Sequence, residues 1–210
     1  MWAMRILRKE IKEVRFLIIS ILLLIFYIIG SFFGILNIET GVLLLHSFLI
    51  FFALAFLYEK NIKETFIKLK INYNWEKTAK YVFFGFFGII VYLLFLGIVL
   101  NFFGISDQYK TIEKIEMFTP LVIFAAVFIG PVSEELFFRG FLTQKFGILP
   151  SSIIFSLAHF AYGSYTQIIG TFGMGLILAY IYKDSKSILP CILIHFLYNL
   201  SAILAFWWLY

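Results

Sequence analysis

The chain has 210 residues, 62% of them hydrophobic and 14% charged, with mean hydropathy +0.98 and a formal net charge of +5. A soluble domain is about half apolar and a quarter charged, and a chain with 28 Phe and 12 Tyr carries more apolar surface than a soluble core of this size can bury. These figures exclude a soluble globular domain, and the single cysteine, Cys191, excludes an internal disulfide framework and a cysteine-based metal cluster.

The pattern predicts an all-α, polytopic integral membrane protein, because about 20 apolar residues cross the hydrocarbon core as a helix. A basic tail, residues 1–15, leads into a first span from Phe16 to Ile38. That run is too long for a signal-peptide core and lacks a small-residue cleavage site, so it is expected to be a retained helix. The second span covers Thr40 to Tyr58. Residues 59–80 place Ile62, Phe66, Leu69 and Tyr73 at helical spacing with lysines between, the pattern of an interfacial amphipathic segment. The third span lies within Tyr81 to Ser106, and the fourth runs from near Met117 through PVSEELFFRG to about Gln144. Residues 146–182 carry no charge and are too long for one crossing. A turn at Gly163-Ser164 divides them into a fifth span, Pro150 to Tyr162, and a sixth, Tyr165 to Tyr182. The last runs from Pro190 to Tyr210. The expectation is one membrane domain, 1–210, with about seven transmembrane helices and a motif-bearing core at 117–200.

Lysine and arginine set the orientation. Arg5, Arg8, Lys9, Lys12 and Arg15 precede the first span, and Lys60, Lys63, Lys68, Lys70, Lys77 and Lys80 follow the second. Lys145, Lys183 and Lys186 fall on the same side, whereas the opposite side has Lys110 and Lys114. The N-terminus is therefore expected in the cytoplasm, with the chain in the cell membrane. This bias explains the net charge without a nucleic-acid partner. The bilayer is the partner it implies.

Few side chains within the spans can do acid–base work. Residues four apart share a helix face, so Glu135 can pair with Arg139, while Glu134 points about 100° away. Glu134 is thus the carboxylate left for a general base. Phe155 lies one turn before His159 and can pack on its ring. His195 and Asn199 share a face and can donate to one oxygen, as a developing oxyanion requires. Each group alone also fits a buried hydrogen-bonding knot. Their depths agree: at about 1.5 Å per residue, Glu134 lies roughly 15 Å from the cytoplasmic end of its span, His159 and Asn199 roughly 14 Å and His195 roughly 8 Å. This predicts one site in the helix bundle, toward the cytoplasmic side. His46 stands outside the set and reads as structural, Cys191 as an inert buried thiol, and Ser133 as the cap of a helix restarting after Pro131.

EELFFR, FSLAH and HFLYN, at 134–139, 155–159 and 195–199, fit EExxxR, FxxxH and HxxxN in order. The ordered set resembles the CPBP family, which comprises CAAX prenyl endopeptidases of type 2 and bacteriocin-processing or immunity proteins of the Abi type. The resemblance covers about Met117 to Leu200. It implies an intramembrane glutamic endopeptidase acting on a peptide or membrane-anchored protein. Glu134 and His159 would activate water, His195 and Asn199 would hold the oxyanion, and Glu135, Arg139 and Phe155 would support them. No metal or cofactor is expected. A zinc site of Glu134, His159 and His195 is the disfavoured alternative, for want of an HExxH helix. A non-proteolytic immunity or scaffold protein is the alternative from another class.

Overall fold

The computed structural model describes residues 37–57 and 74–209, together with Ile18, Ile19, Leu22, Ile25, Phe26, Ile29 and Gly30. The basic tail and most of the first predicted span lie outside the described residues.

Helix α1, Ile38–Leu57, starts where Asn37 Oδ1 accepts from the Thr40 amide at 2.8 Å. Helix α2, Trp75–Phe102, starts in the same way: Asn74 Oδ1 accepts from the Lys77 amide at 2.9 Å, and Glu76 pairs with Lys80 at 2.7 Å. The predicted surface segment 59–80 is therefore corrected at its end. Residues 75–80 are the first turns of α2, held there by the Asn74 cap, and the stretch before Asn74 lies outside the described residues. A short polar helix, α3, follows at Gln108–Glu116.

Helix α4 runs continuously from Pro120 to Phe146. It widens twice into π turns, at Ala125–Ile129 and Leu136–Thr143, and remains α-helical between them. Pro131 does not break it, so the restart predicted at Ser133 is absent: a proline near the start of an α segment costs little when the wide turn before it has already shifted the hydrogen bonds. Helix α5, Ile148–Ala158, tightens into a 3₁₀ turn at His159–Tyr162. Gly163 follows at φ +69°, a left-handed conformation that glycine adopts without steric cost. Ser164 then caps α6, Tyr165–Ser185, and α7 spans Leu189–Leu209.

Five of the described helices are long and apolar enough to cross a membrane: Ile38–Ala55 within α1, then α2, α4, α6 and α7. The predicted fifth span is a shorter apolar helix, Ile148–Tyr162. The chain is a multi-pass membrane protein, and its described residues form helices without strands. Helix α6 packs against α5 and α2, α7 against α2 and α4, and α1 against α4. Close approach is enforced at Gly173, where an added Cβ would stand 2.2 Å from the Tyr92 ring. The core joins Phe137, Phe138 and Phe141 of α4 to Phe155, Leu178, Ile188 and Ile194, while α2 turns Phe83, Phe84, Phe87, Leu94 and Phe95 outward.

Candidate active site

A cavity of about 450 Å³ lies among α1, α2, α3, α4, α5, α6 and α7. Glu134, His159, His195 and Asn199, from three stretches far apart in sequence, all line it. So does His46 of α1, which no motif contains. The signal that could have found His46 was depth: it lies about twelve residues from the cytoplasmic end of its span, in the layer of the other groups.

The cavity reaches the end of the bundle where Gln108 and Leu209 are exposed. Lys77, Lys80, Lys145, Lys183 and Lys186 lie at or beside the opposite helix ends. The cavity thus reaches the end of the bundle away from these lysines. The motif side chains sit mid-bundle, and the space beside them extends toward α3 and the last turns of α7.

The two adjacent glutamates occupy different environments. Glu135 is fully buried and away from the cavity, with Oε2 3.1 Å from Arg139 Nε and Oε1 2.9 Å from His195 Nδ1. Arg139, 1% exposed, also donates from Nη2 to Gly175 O at 3.4 Å, and its guanidinium lies 4.4 Å from the centre of the Phe155 ring. The opposite charges offset each other's loss of water as an ion pair, although Glu135 Oε2 and Arg139 Nε do not meet hydrogen-bond geometry. Glu134 instead lines the cavity with its side chain 14% exposed. Its Oε2 has no hydrogen-bond partner among the described residues and stands 4.0 Å from His195 Nε2.

Phe155 is fully buried between Arg139 and the imidazoles. Its ring meets His159 and His195 edge-on at 4.9 and 5.9 Å. The histidines share one arrangement. His159 Nδ1 lies 2.9 Å from Phe155 O, His195 Nδ1 2.9 Å from Glu135 Oε1, and His46 Nδ1 2.8 Å from Ser133 Oγ. A carbonyl and an ionised carboxylate can only accept, which assigns Nδ1–H to His159 and His195 and leaves Nε2 as the free nitrogen of each.

Asn199 is held by a backbone defect in α4. In the first π turn the Gly130 amide bonds Ala125 O, five residues back. In that register Ala126 O would be served by residue 131, a proline without an N–H. Asn199 Nδ2 donates to this carbonyl at 2.8 Å. One of its two amide hydrogens is thus committed, and the other remains. Cys191 is away from the cavity, its thiol donating to Leu178 O at 3.3 Å. Among the described residues, no three His, Cys, Asp or Glu side chains stand close enough together to hold one metal ion.

At the cavity mouth, Asp107 ties the α2–α3 link to the start of α6. Its carboxylate accepts from Ser164 Oγ at 2.8 Å, the Thr166 amide at 3.0 Å and the Tyr165 amide at 3.1 Å. Burial pushes this carboxyl up, but the bonds from Thr166, Ser164 and Tyr165 outweigh it and hold the group far below the usual carboxylate range.

A multi-pass membrane helix bundle with a buried acid–imidazole cavity is the class that fold and site define. Residues 116–201 match the family model described as type II CAAX prenyl endopeptidase Rce1-like. The match, over less than half of the chain, supports the CPBP/CAAX protease family, a family of hydrolases of peptide bonds. No curated protein and no solved structure matches the chain.

Proposed function

We propose that the protein is an intramembrane endopeptidase in which Glu134 activates water. The observation that carries this reading is the contrast between the two carboxylates: Glu135 is buried in an ion pair with Arg139 and a hydrogen bond from His195, whereas Glu134 lines the cavity with its nearest cationic partner, His195 Nε2, 4.0 Å away. Glu134 takes a proton from a water, the hydroxide attacks the scissile carbonyl carbon, and Glu134 returns the proton to the departing amine. His159, with Nδ1–H on Phe155 O, offers Nε2 as acceptor to orient that water. His195 gives its Nδ1–H to Glu135, so it donates from Nε2 to the oxyanion only as the imidazolium, whose charge Glu135 offsets. Asn199 contributes its second amide hydrogen, the first being held by Ala126 O. The oxyanion pair expected from sequence is thereby refined: each donor reaches the oxygen with a partner behind it.

The substrate is a peptide segment entering from the α3 end. Lysine-rich ends stay cytoplasmic, so the mouth beside Gln108 faces the other side of the membrane. In intact cells, a cysteine at Gln108 is expected to react with a membrane-impermeant maleimide. Labelling only after lysis would return the mouth to the cytoplasm.

Activity is tested by comparing peptide termini in membranes carrying wild type or Glu134→Gln. New termini are expected with wild type alone, and the loss should be at least about a hundredfold, the low end for removing a general base. Equal cleavage by Glu134→Gln would remove Glu134 from the mechanism.

A further inference from the structure

We propose that His46 is a positioning residue of this site: anchored to Ser133 through Nδ1, it presents Nε2 to the Glu134 carboxyl group. The inference rests on the reading of Glu134 as the base.

Ser133 is fully buried and does not line the cavity, so its hydroxyl meets no substrate. Its single hydrogen is directed to Gly130 O at 3.0 Å, a back-bond common for serine in helices. The same oxygen lies 2.8 Å from His46 Nδ1. With the hydroxyl hydrogen given to Gly130, Ser133 Oγ acts as acceptor, and His46 must carry Nδ1–H. Nε2 then holds a lone pair.

Glu134, once protonated, is the donor on this wall of the cavity that the lone pair can serve. His46 Cε1, the ring atom between Nδ1 and Nε2, lies 3.4 Å from the point a Cβ on Gly130 would occupy. Glu134 Oε1 lies 3.6 Å from the same point. Glycine at 130 thus lets the imidazole and the carboxylate share one niche against α4. The groups acting electrostatically on His46 are Glu134, His195 and His159, and of these only Glu134 is acidic. His46 is 6% exposed, so bulk water does not screen the pair. An accepting Nε2 suits the stage at which Glu134 holds the proton taken from water. It orients the carboxylic acid while the tetrahedral intermediate exists, and proton return then meets the departing amine from a fixed direction.

The arrangement also explains Ser133 and Gly130, which lie beside the family pattern rather than in it. Ser133 fixes the tautomer, and Gly130 supplies both the accepting carbonyl and the space. His46 therefore joins the site through α1, a helix outside the matched residues 116–201.

The test uses the full chain in lipid nanodiscs with 15N-labelled histidine. The sequence holds three histidines, so three pairs of ring nitrogens are observed, and His46→Asn identifies one pair by its loss. The His46 pair is expected in the Nδ1–H tautomer, and Glu134→Gln is expected to move its Nε2 resonance. An Nε2–H tautomer, or an Nε2 resonance indifferent to Glu134→Gln, overturns the proposal whether or not the protein cleaves anything. Cleavage of an internally quenched prenylated CAAX peptide gives the second readout. Asparagine places its amide near Nδ1 and keeps the tie to Ser133, and glutamine places its amide near Nε2. His46→Asn is expected to lower kcat roughly a hundredfold, as misplacing a reacting group does, with KM and unfolding temperature held, and His46→Gln to retain more. Wild-type kcat in His46→Asn would reduce His46 to a packing tie. If wild type leaves the peptide intact, the protease reading fails on that substrate and the nitrogen resonances alone decide the proposal.

Discussion

The two π turns of α4 solve the same problem for different ends. In the first, around Ala126, proline removes a donor and a carbonyl is met from another helix by Asn199. In the second, the Phe138 carbonyl collects Ser151 Oγ at 2.8 Å and Thr143 Oγ1 at 2.9 Å. The second turn is packed into the core, with Phe137, Phe138, Phe141, Leu142 and Thr143 all buried and Phe138 closing one wall of the cavity. The first opens on the cavity. A wide turn in a membrane helix leaves a backbone group to satisfy. Here the donor that satisfies it is either a site residue or core hydroxyls. The lesson is that Asn199 holds its place because α4 needs it, independently of any substrate.

The largest effect is expected where the two regions meet. Arg139→Met leaves Glu135 buried with only His195 beside it, and a broken buried pair costs about 3–5 kcal/mol. Unfolding of the purified protein by increasing SDS should show the loss. A change below about 1 kcal/mol would mean that His195 alone supports the carboxylate.

The comparison between the turns sharpens with Asn199→Leu, which leaves Ala126 O unbonded at about 1–3 kcal/mol. Ser151→Ala should cost less, because Thr143 still serves Phe138 O. In a Pro131→Ala background an N–H returns to residue 131, and the penalty of Asn199→Leu should shrink. An unchanged penalty would sever the link between Asn199 and the wide turn.

The smallest effect is at the mouth. Asp107→Asn weakens the tie from the α2–α3 link to α6 and should cost about 1 kcal/mol at pH 7, the usual value of a helix-end carboxylate. The folded pKa of Asp107 lies below the unfolded value near 4. Its contribution is therefore complete above about pH 4 and is lost as pH falls through the folded value. The stability gap between wild type and Asp107→Asn should be constant from pH 5 to 8 and narrow in acid. A gap that widens in acid would reverse the assigned sign.

Hydropathy and charge gaps made most of the bundle legible, because a lipid-facing helix must be apolar along its whole length. Spans two, three, four, six and seven coincide with described helices to within a few residues, apart from the start of α2. Lysines at 77 and 80 give that start the pattern of a surface segment, yet they decorate the first turns of a 28-residue helix. Helical spacing also separates Glu134 from Glu135 before any coordinates exist, since neighbours on a helix face different surroundings.

Three things needed the third dimension. His46 has no polar neighbour on its own helix face, and only the packing of α1 on α4 brings it to Ser133. The π turns leave no mark in residue periodicity, so the tie from Asn199 to Ala126 was invisible. The direction of the cavity depends on how α3, α6 and α7 splay around it, which charge gaps do not encode. The sequence by itself determined which segments enter the bilayer and which residue types can do chemistry there, because both follow from local composition and spacing. Tertiary structure alone decided what surrounds each carboxylate, with His195 beside Glu135 and the cavity beside Glu134, because those surroundings come from other helices.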